Sequence, residues 1–226
     1  MKPAPFEYFD PRSLPEALDL LATYGVEGKV LAGGQSLLPL LYLRLATPPY
    51  LIDINRVADL GTLHVEDGTL CIGATVRQRA VERDPTVRAG WPLIPEALRW
   101  VGHAAIRTRG TFCGSLAHAD PSAELPAVVV ALDGELRLAS AAGERTVPAA
   151  DFFVTYLTTV LEPTELLVEV RLPPPPPCSG HAFVEVARRH GDFALAGLAC
   201  LLALEADGRH IAAVRLAFTG VGGTPL

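Results

Sequence analysis

Several side chains that could do chemistry lie together in residues 109–126, RGTFCGSLAHADPSAELP. Cys113 and His118 could form a nucleophilic pair, but a thiol nucleophile needs a nearby base and a depressed pKa, and closeness in sequence establishes neither. The thiol, the imidazole and the carboxylates of Asp120 and Glu124 also lack the compact spacing of known metal sites. A thiol hydrolase and a metal centre are therefore remote hypotheses, and we predict no catalytic residue and no metal ligand.

The same stretch also offers backbone chemistry. Residues 111–115, TFCGS, combine glycine with hydroxyl side chains, and residues 32–36, AGGQS, do the same. We call them the second and the first glycine segment. Glycine lets backbone amides approach a ligand closely, and a helix start adds partial positive charge, so such segments suit phosphate groups. Arg107 and Arg109 flank the second segment and could offset phosphate charge, although arginines commonly lie at the surface.

Neither segment matches a standard nucleotide fingerprint. G-x-G-x-x-G and the phosphate loop ending in G-K-[ST] are both absent from the two segments. Taken alone, the first glycine segment is best interpreted as a strand-to-helix turn that merely requires glycine. Two segments of the same chemistry are harder to dismiss than one, and they could converge to hold both phosphates of a dinucleotide.

The elements around the first glycine segment form a small α/β unit. A buried strand, KVL, precedes the segment; a short helix, SLLPLLYLRLA, follows it, and PYLIDI is a second buried strand. Leucines and alanines at helical spacing predict a helix over residues 12–24, with Ser13 as its N-cap and Gly25 as its stop.

The rest of the chain alternates hairpins with helices. Residues 63–74 predict a hairpin around an Asp-Gly turn, and residues 75–102 predict helical segments interrupted by prolines. A second hairpin begins at residue 133, and residues 165–173 alternate like a strand. Beyond residue 183 the pattern predicts strands around another Asp-Gly turn.

Composition limits the classes of protein. The 226 residues are 50% apolar and carry a formal charge of −6, which argues against disorder and against nucleic acid as a partner. The longest apolar run, residues 194–204, is too short to span a bilayer, and the start of the sequence lacks a signal peptide. Four widely spaced cysteines without a C-x-x-C pair are ordinary for a reduced cytoplasm, so we predict a cytoplasmic protein without a transmembrane segment.

Five consecutive prolines at residues 173–177 mark a domain boundary, because such a run favours an extended linker. We predict a first domain over residues 1–172, a linker over residues 173–178 and a second domain over residues 179–226. A piece of about 50 residues is marginal as an independent domain. We therefore expect the second domain to be incomplete in this sequence.

Two long stretches give the chain a family resemblance. AGGQSLLPLLYLRLATPPYLIDI, followed by IRTRGTFCGSLAHADPSAELPAVVVAL, closely resembles the FAD-binding medium subunit of molybdenum hydroxylases, the carbon monoxide dehydrogenase and xanthine dehydrogenase family. The segments LTTVLEPTELLVEVRLP and FVEVARRHGDFALAGLA are also similar to that family. The resemblance covers nearly the whole chain.

The resemblance implies an α+β fold: a PCMH-type (vanillyl-alcohol-oxidase-like) FAD-binding domain of two α/β subdomains, followed by a truncated α/β C-terminal domain. It also implies that the two glycine segments hold the FAD pyrophosphate, that Glu124 contacts the adenosine half and that Leu167 makes an apolar contact. The implied cofactor-binding residues are Leu31, Ala32, Gly33, Gly34, Gln35, Ser36, Leu37, Leu38, Val101, Thr111, Phe112, Cys113, Gly114, Ser115, Glu124 and Leu167.

By the same resemblance, this chain is an electron-transfer subunit rather than the site of substrate oxidation. A large subunit with a molybdenum–pterin centre would oxidise the substrate, and a small subunit with two [2Fe–2S] clusters would relay electrons to FAD and an external acceptor. The assembly would be a dimer of heterotrimers. The absence of iron–sulfur cysteine spacing agrees with clusters on another chain.

The sequence departs from the family pattern at three places, and the first and the last of them keep a second hypothesis open. Cys113 replaces the first of two adjacent glycines, and a side chain there would strain the backbone if the position needs a positive φ or a very close approach. Glu185 stands where some relatives have a lysine facing the flavin, and the family's C-terminal domain continues past the end of this sequence. The alternative is a stand-alone or flavin-less interaction or assembly protein of the same fold.

Overall fold

The computed structural model describes residues 2–226, and its first unit is a small α/β layer. Its elements in chain order are β1 (Glu7–Phe9), α1 (Leu14–Tyr24), β2 (Gly28–Leu31), α2 (Leu37–Tyr42) and β3 (Tyr50–Asp53). The strands are parallel and lie in the order β1-β3-β2. The first glycine segment follows β2, so it lies at the carboxyl end of a parallel sheet, where open α/β sheets bind ligands.

Both predicted ends of α1 are confirmed, although glycine is required at residue 25 for a reason other than a left-handed backbone conformation. The Ser13 hydroxyl accepts a hydrogen bond from the Glu16 amide at 3.3 Å, which caps the first turn. Gly25 has an ordinary right-handed φ of −57°, but a Cβ there would overlap the Pro163 carbonyl. Close approach of two backbones therefore requires glycine at this position.

A hairpin and six helices follow. Strands β4 (Leu63–Glu66) and β5 (Thr69–Gly73) turn at Asp67 and Gly68, whose φ values of 49° and 79° suit a tight hairpin turn. The helices are α3 (Gln78–Arg83), α4 (Pro85–Gly90), α5 (Leu93–Leu98), α6 (Ala104–Arg109), α7 (Phe112–His118) and α8 (Glu124–Ala131). Breaks before Pro85 and at Pro92 confirm the predicted interruptions.

The next sheet is antiparallel and has five strands. After β6 (Glu135–Ser140) and β7 (Gly143–Pro148) come α9 (Ala149–Phe152), β8 (Phe153–Thr155), β9 (Thr158–Thr159) and β10 (Leu166–Leu172). The strand order is β4-β5-β10-β6-β7, while β8 and β9 form a separate ribbon. Helix α7 packs on β5 and β10, so this sheet supports the second glycine segment from below.

The C-terminal residues form an antiparallel sheet of three strands, β11 (Ser179–Val186), β12 (Ala196–Leu204) and β13 (Ile211–Thr219). Its inner face packs on α8. Its outer face is apolar: Val184, Leu198 and Phe218 lie side by side across the strands, and Val184 is 56% exposed.

The main core lies between the helices and the five-stranded sheet. Ile72, Phe112, Leu125 and Val170 are fully buried there. Helix α8 is buried along almost its whole length, because α5 and the C-terminal sheet both pack against it. Within residues 2–226, no helix combines the length and the apolar character that crossing a bilayer demands.

Candidate functional site

The two glycine segments meet at Gly33. A Cβ placed on this residue would lie 2.6 Å from the Arg109 carbonyl oxygen and 2.7 Å from the Cα of Gly110. Cβ atoms do not approach backbone so closely, so the contact requires glycine. The segments are 77 residues apart in sequence at this contact, from Gly33 to Gly110, and the predicted convergence is present in the fold.

The first glycine segment leaves several amides available. Gly34 has a φ of 73° and its carbonyl accepts a hydrogen bond from Leu38, which starts the turn into α2. Within residues 2–226, the backbone amides of Gly34, Gln35 and Ser36 have no hydrogen-bond partner. Gly34 and Gln35 are half-buried, whereas Ser36 is exposed. Because half-buried amides normally have partners, this cluster of free amides suits an anionic ligand.

The second glycine segment is the start of a helix rather than a loop. Thr111 is the N-cap of α7, and its hydroxyl accepts a hydrogen bond from the Gly114 amide at 3.1 Å. The Phe112 amide donates to the Val76 carbonyl at 3.0 Å, which fixes the segment on the chain before α3. A Cβ on Gly114 would overlap the Thr111 hydroxyl, so this cap also depends on glycine.

Cys113 is neither strained nor placed to react. It occupies the second position of α7 with its side chain 2% exposed, and its thiol donates to the Ile72 carbonyl at 3.4 Å. The φ of Cys113 is not positive, so the backbone strain expected from a side chain in place of glycine does not occur. Burial raises the pKa of the Cys113 thiol. A buried, protonated thiol is a poor nucleophile, and this removes the basis of the thiol-hydrolase hypothesis.

Two side chains that the sequence did not single out connect the glycine segments. Asn55 donates from Nδ2 to the Ala32 carbonyl at 2.8 Å and accepts from Arg77 Nη2 at 2.6 Å. Arg77 also donates from Nη1 to the Arg109 carbonyl at 2.7 Å. Asn55 follows the carboxyl end of β3, and β3 pairs in parallel with β2. This position could have indicated that Asn55 lies near the first glycine segment, which follows β2.

Arg107 does not supply free charge to the second segment. Its guanidinium is 7% exposed and pairs with Glu82, with Nε 3.1 Å from Oε2. Nη1 donates to the Val101 carbonyl at 2.9 Å, so Arg107 fixes the chain at that half-buried residue. The expectation that Arg107 offsets phosphate charge is therefore corrected, whereas Arg109 is exposed and lies without a carboxylate partner within residues 2–226.

Glu124 begins α8 and faces the C-terminal sheet. Its side chain is buried, and burial raises its pKa from 4.5 to about 8, with the neighbouring charges of Glu185 and Asp120 adding to the effect. Glu185 lies on the inner face of β11, beside Gly197, and both of its carboxylate oxygens are buried without a partner in residues 2–226. A buried carboxylate without donors, such as that of Glu185, is costly unless a ligand supplies hydrogen bonds.

Replacing Glu124 with glutamine is expected to stabilise the ligand-free protein at alkaline pH. The pKa of Glu124 in the folded state lies above its unfolded value, so ionisation opposes folding increasingly between pH 4.5 and pH 8. Removing the charge should add about 3–5 kcal/mol at pH 9 and little at pH 4. Denaturant unfolding at both pH values measures this difference, and Glu205→Gln, at an exposed turn, is the control. An equal gain at both pH values would contradict it.

The remaining predicted residues divide between core and site. Phe112 is fully buried and Leu167 is 3% exposed on β10, so their side chains pack in the core. Leu31, Leu37 and Leu38 are half-buried around the first glycine segment, and Ser115 is half-buried on α7.

Within residues 2–226, two groups of side chains bring possible metal-ligand atoms close together, and both groups lie on hairpins. One group is His64, Glu66 and Cys71, in which Glu66 already pairs with Arg171 at 2.8 Å. The other group is Glu205, Asp207 and His210, in which the Asp207 carboxylate already accepts a hydrogen bond from the Arg209 amide. Within residues 2–226, the side chains of Cys113, His118, Asp120 and Glu124 do not form such a group.

Comparison with known proteins identifies the family of this chain. A family model described as the FAD binding domain in molybdopterin dehydrogenase matches residues 4–175. This chain belongs to that family. A second model, the CO dehydrogenase flavoprotein C-terminal domain, matches residues 181–226. The predicted family and the FAD cofactor are thereby confirmed, and the glycine contact and free amides fit the cofactor's diphosphate.

Relatives of this flavoprotein are subunits of dehydrogenases. The chain is 43% identical over its full length to the 6-hydroxypseudooxynicotine dehydrogenase complex subunit alpha of Paenarthrobacter nicotinovorans and 44% identical to caffeine dehydrogenase subunit beta of Pseudomonas sp. strain CBB1. It covers 76% of each relative. These matches confirm the predicted class, an oxidoreductase subunit.

The fold agrees with a solved structure as well. Carbon monoxide dehydrogenase from Hydrogenophaga pseudoflava, in a form lacking the Mo-pyranopterin moiety, superposes with a TM-score of 0.96 at 39% identity. The match covers all of this chain and 78% of the solved one. The predicted α+β flavoprotein fold is confirmed.

Proposed function

We propose that this flavoprotein holds FAD on the electron path between [2Fe–2S] clusters of a partner subunit and an external acceptor. The observation that carries the proposal is the contact at Gly33, which brings the free amides of the first glycine segment beside the start of α7 in a chain of the FAD-binding family. Bound FAD supplies the redox chemistry, taking up single electrons and releasing them as a pair. The chain contributes binding, orientation and electrostatic tuning.

The residues divide this work among themselves. We infer that the amides of Gly34, Gln35 and Ser36, with the start of α7, hold the diphosphate. Cys113 would contribute only its backbone, because its thiol faces the core. Glu124 would accept hydrogen bonds from the cofactor, which would offset part of the cost of burying its carboxylate.

Apolar side chains would complete the site. Leu31, Leu37 and Leu38 surround the first glycine segment and would exclude water from the bound cofactor. Val101 is held through its carbonyl by Arg107, and Leu167 supports the site from β10. The flavin-less alternative loses its main support, because Cys113 causes no backbone conflict.

The partners are inferred from the family resemblance, and the names of the relatives support a complex of several subunits. A molybdenum–pterin large subunit and a [2Fe–2S] small subunit would bind this chain in a cytoplasmic dimer of heterotrimers. Relatives at 39–44% identity are named for a nicotine derivative, caffeine and carbon monoxide, so this subunit does not encode the substrate. The net charge of −6 makes nucleic acid an unsuitable partner.

Reconstitution with the partner subunits tests this function. The chain, loaded with FAD, is mixed anaerobically with a reduced [2Fe–2S] subunit, and flavin absorbance is followed. We expect the flavin bands to bleach when the cluster is reduced and to recover when an acceptor is added. Retention of oxidised flavin beside a bound, reduced cluster would contradict the proposed electron path.

A further inference from the structure

Arg77 carries a positive charge that the protein does not neutralise. Both hydrogen bonds of its guanidinium go to neutral oxygens, the Arg109 carbonyl and the Asn55 amide. Within residues 2–226, no carboxylate oxygen lies within 4.0 Å of Arg77 or of Arg109. Burial, and then the nearby charge of Arg109, lower the pKa of Arg77, and the charge of Asp53 offsets only part of this effect. On balance the surroundings therefore disfavour the charge of Arg77.

A partly buried guanidinium without an acid is costly, and such groups normally pair with an anion. An anion that pairs with Arg77 could lie between the two glycine segments. Arg77 bonds to the carbonyl beside the second glycine segment, and through Asn55 it reaches the carbonyl of Ala32 in the first. The free amides of the first segment point to the same kind of ligand, an anion with several oxygens.

We propose that Arg77 is a positioning residue for the diphosphate of the cofactor: with Asn55 it sets the separation of the two glycine segments, and its charge attracts the phosphates held there. This inference rests on the proposed function and adds two residues to the site. It also gives them distinct roles, because Asn55 contributes only the spacing, whereas Arg77 contributes spacing and charge.

Arginine suits this role better than lysine. Its planar fork donates from two nitrogens to acceptors on different segments, at 2.7 Å and 2.6 Å. A lysine ammonium would keep the charge but could not hold both oxygens in the same fixed geometry. Arg77→Lys therefore separates the two contributions of this residue.

The test measures FAD and riboflavin affinities of the purified full chain at several salt concentrations. The variants are Arg77→Met, Arg77→Lys and Asn55→Ala, and the matched control is Arg83→Met, an exposed arginine in the same region. Riboflavin has no phosphate, so its affinity reports damage to the rest of the site. Thermal unfolding of each ligand-free variant reports folding, and Arg77→Lys serves if Arg77→Met does not fold.

Arg77→Met is expected to weaken FAD binding about tenfold or more and to reduce its salt dependence, because a charge-assisted contact is lost. Asn55→Ala should weaken FAD binding about fivefold and keep the salt dependence. Arg77→Lys should lie between wild type and Arg77→Met. Riboflavin affinity should change less than about twofold in every variant, and Arg83→Met should behave as wild type.

Two results would overturn the inference. One is an Arg77→Met protein that binds FAD as tightly as wild type. The other is an equal loss of FAD and riboflavin affinity, which would show a merely structural role. A folded wild-type chain that binds no FAD would instead remove the proposed function, and the inference with it, so the two failures are distinguishable.

Discussion

Replacing Gly33 with alanine is expected to weaken FAD binding by about 100-fold or more. A Cβ at this position would lie 2.6–2.8 Å from three backbone atoms of residues 109–111. Backbone cannot move aside as a flexible side chain can, so the two glycine segments must separate. Amides that cradle a diphosphate would then no longer converge on it. Equilibrium titration followed by flavin fluorescence measures the loss.

Gly90→Ala is the matched control for this substitution. Gly90 ends α4 with an ordinary φ, and a Cβ there meets no atom within 4 Å. Alanine at this position should leave FAD affinity unchanged and slightly stabilise the protein, because it restricts the unfolded chain. If Gly33→Ala bound FAD as Gly90→Ala does, the two segments would not form the diphosphate site.

Replacing Arg107 with methionine is expected to destabilise the protein by about 3 kcal/mol, because Glu82 then remains buried with one fewer donor. Arg79 still reaches Glu82 at 2.7 Å, so the loss should stay near the lower end of the range for broken buried pairs. The Val101 and Gly102 carbonyls also lose their donor. Denaturant unfolding at neutral pH measures the change.

The pH dependence of the free energy of unfolding also tests the prediction for Arg107→Met. Burial alone would raise the pKa of Glu82, but hydrogen bonds from Arg107 and Arg79 outweigh it and hold the pKa below its usual value. Stability from this carboxylate is therefore present above its unfolded pKa and is lost as pH falls through the folded pKa. In Arg107→Met the free energy of unfolding should fall less steeply as the pH decreases. Adding Glu82→Leu to this variant should recover part of the lost stability. An additive double variant would contradict direct coupling.

Local patterns in the sequence were sufficient to predict most elements of the fold. The Asp67-Gly68 turn identified a hairpin because positive φ at both positions suits that turn type. Ser13 identified the start of α1 because its hydroxyl caps a free amide. Glycine at residue 33 pointed correctly to close approach, although the sequence did not reveal that the approaching backbone belongs to residues 109–111.

Side-chain partners far apart in sequence could not be predicted in the same way. Nothing local shows that Arg107 turns to Glu82, 25 residues away, or that Arg77 reaches Asn55. The direction of the Cys113 side chain could not be predicted for a related reason: only the structure shows that α7 turns this thiol into the core. The direction of a side chain on a helix and its distant partners depend on the three-dimensional structure, so the sequence alone does not show them.

The most direct test of the central claim is titration of the ligand-free wild-type chain with FAD, monitored by flavin absorbance and fluorescence. We expect saturable binding of equimolar FAD, with a flavin spectrum altered by the protein. Circular dichroism in parallel establishes that the chain is folded. A folded chain that shows no saturable FAD binding would contradict the assignment of the two glycine segments as a cofactor site.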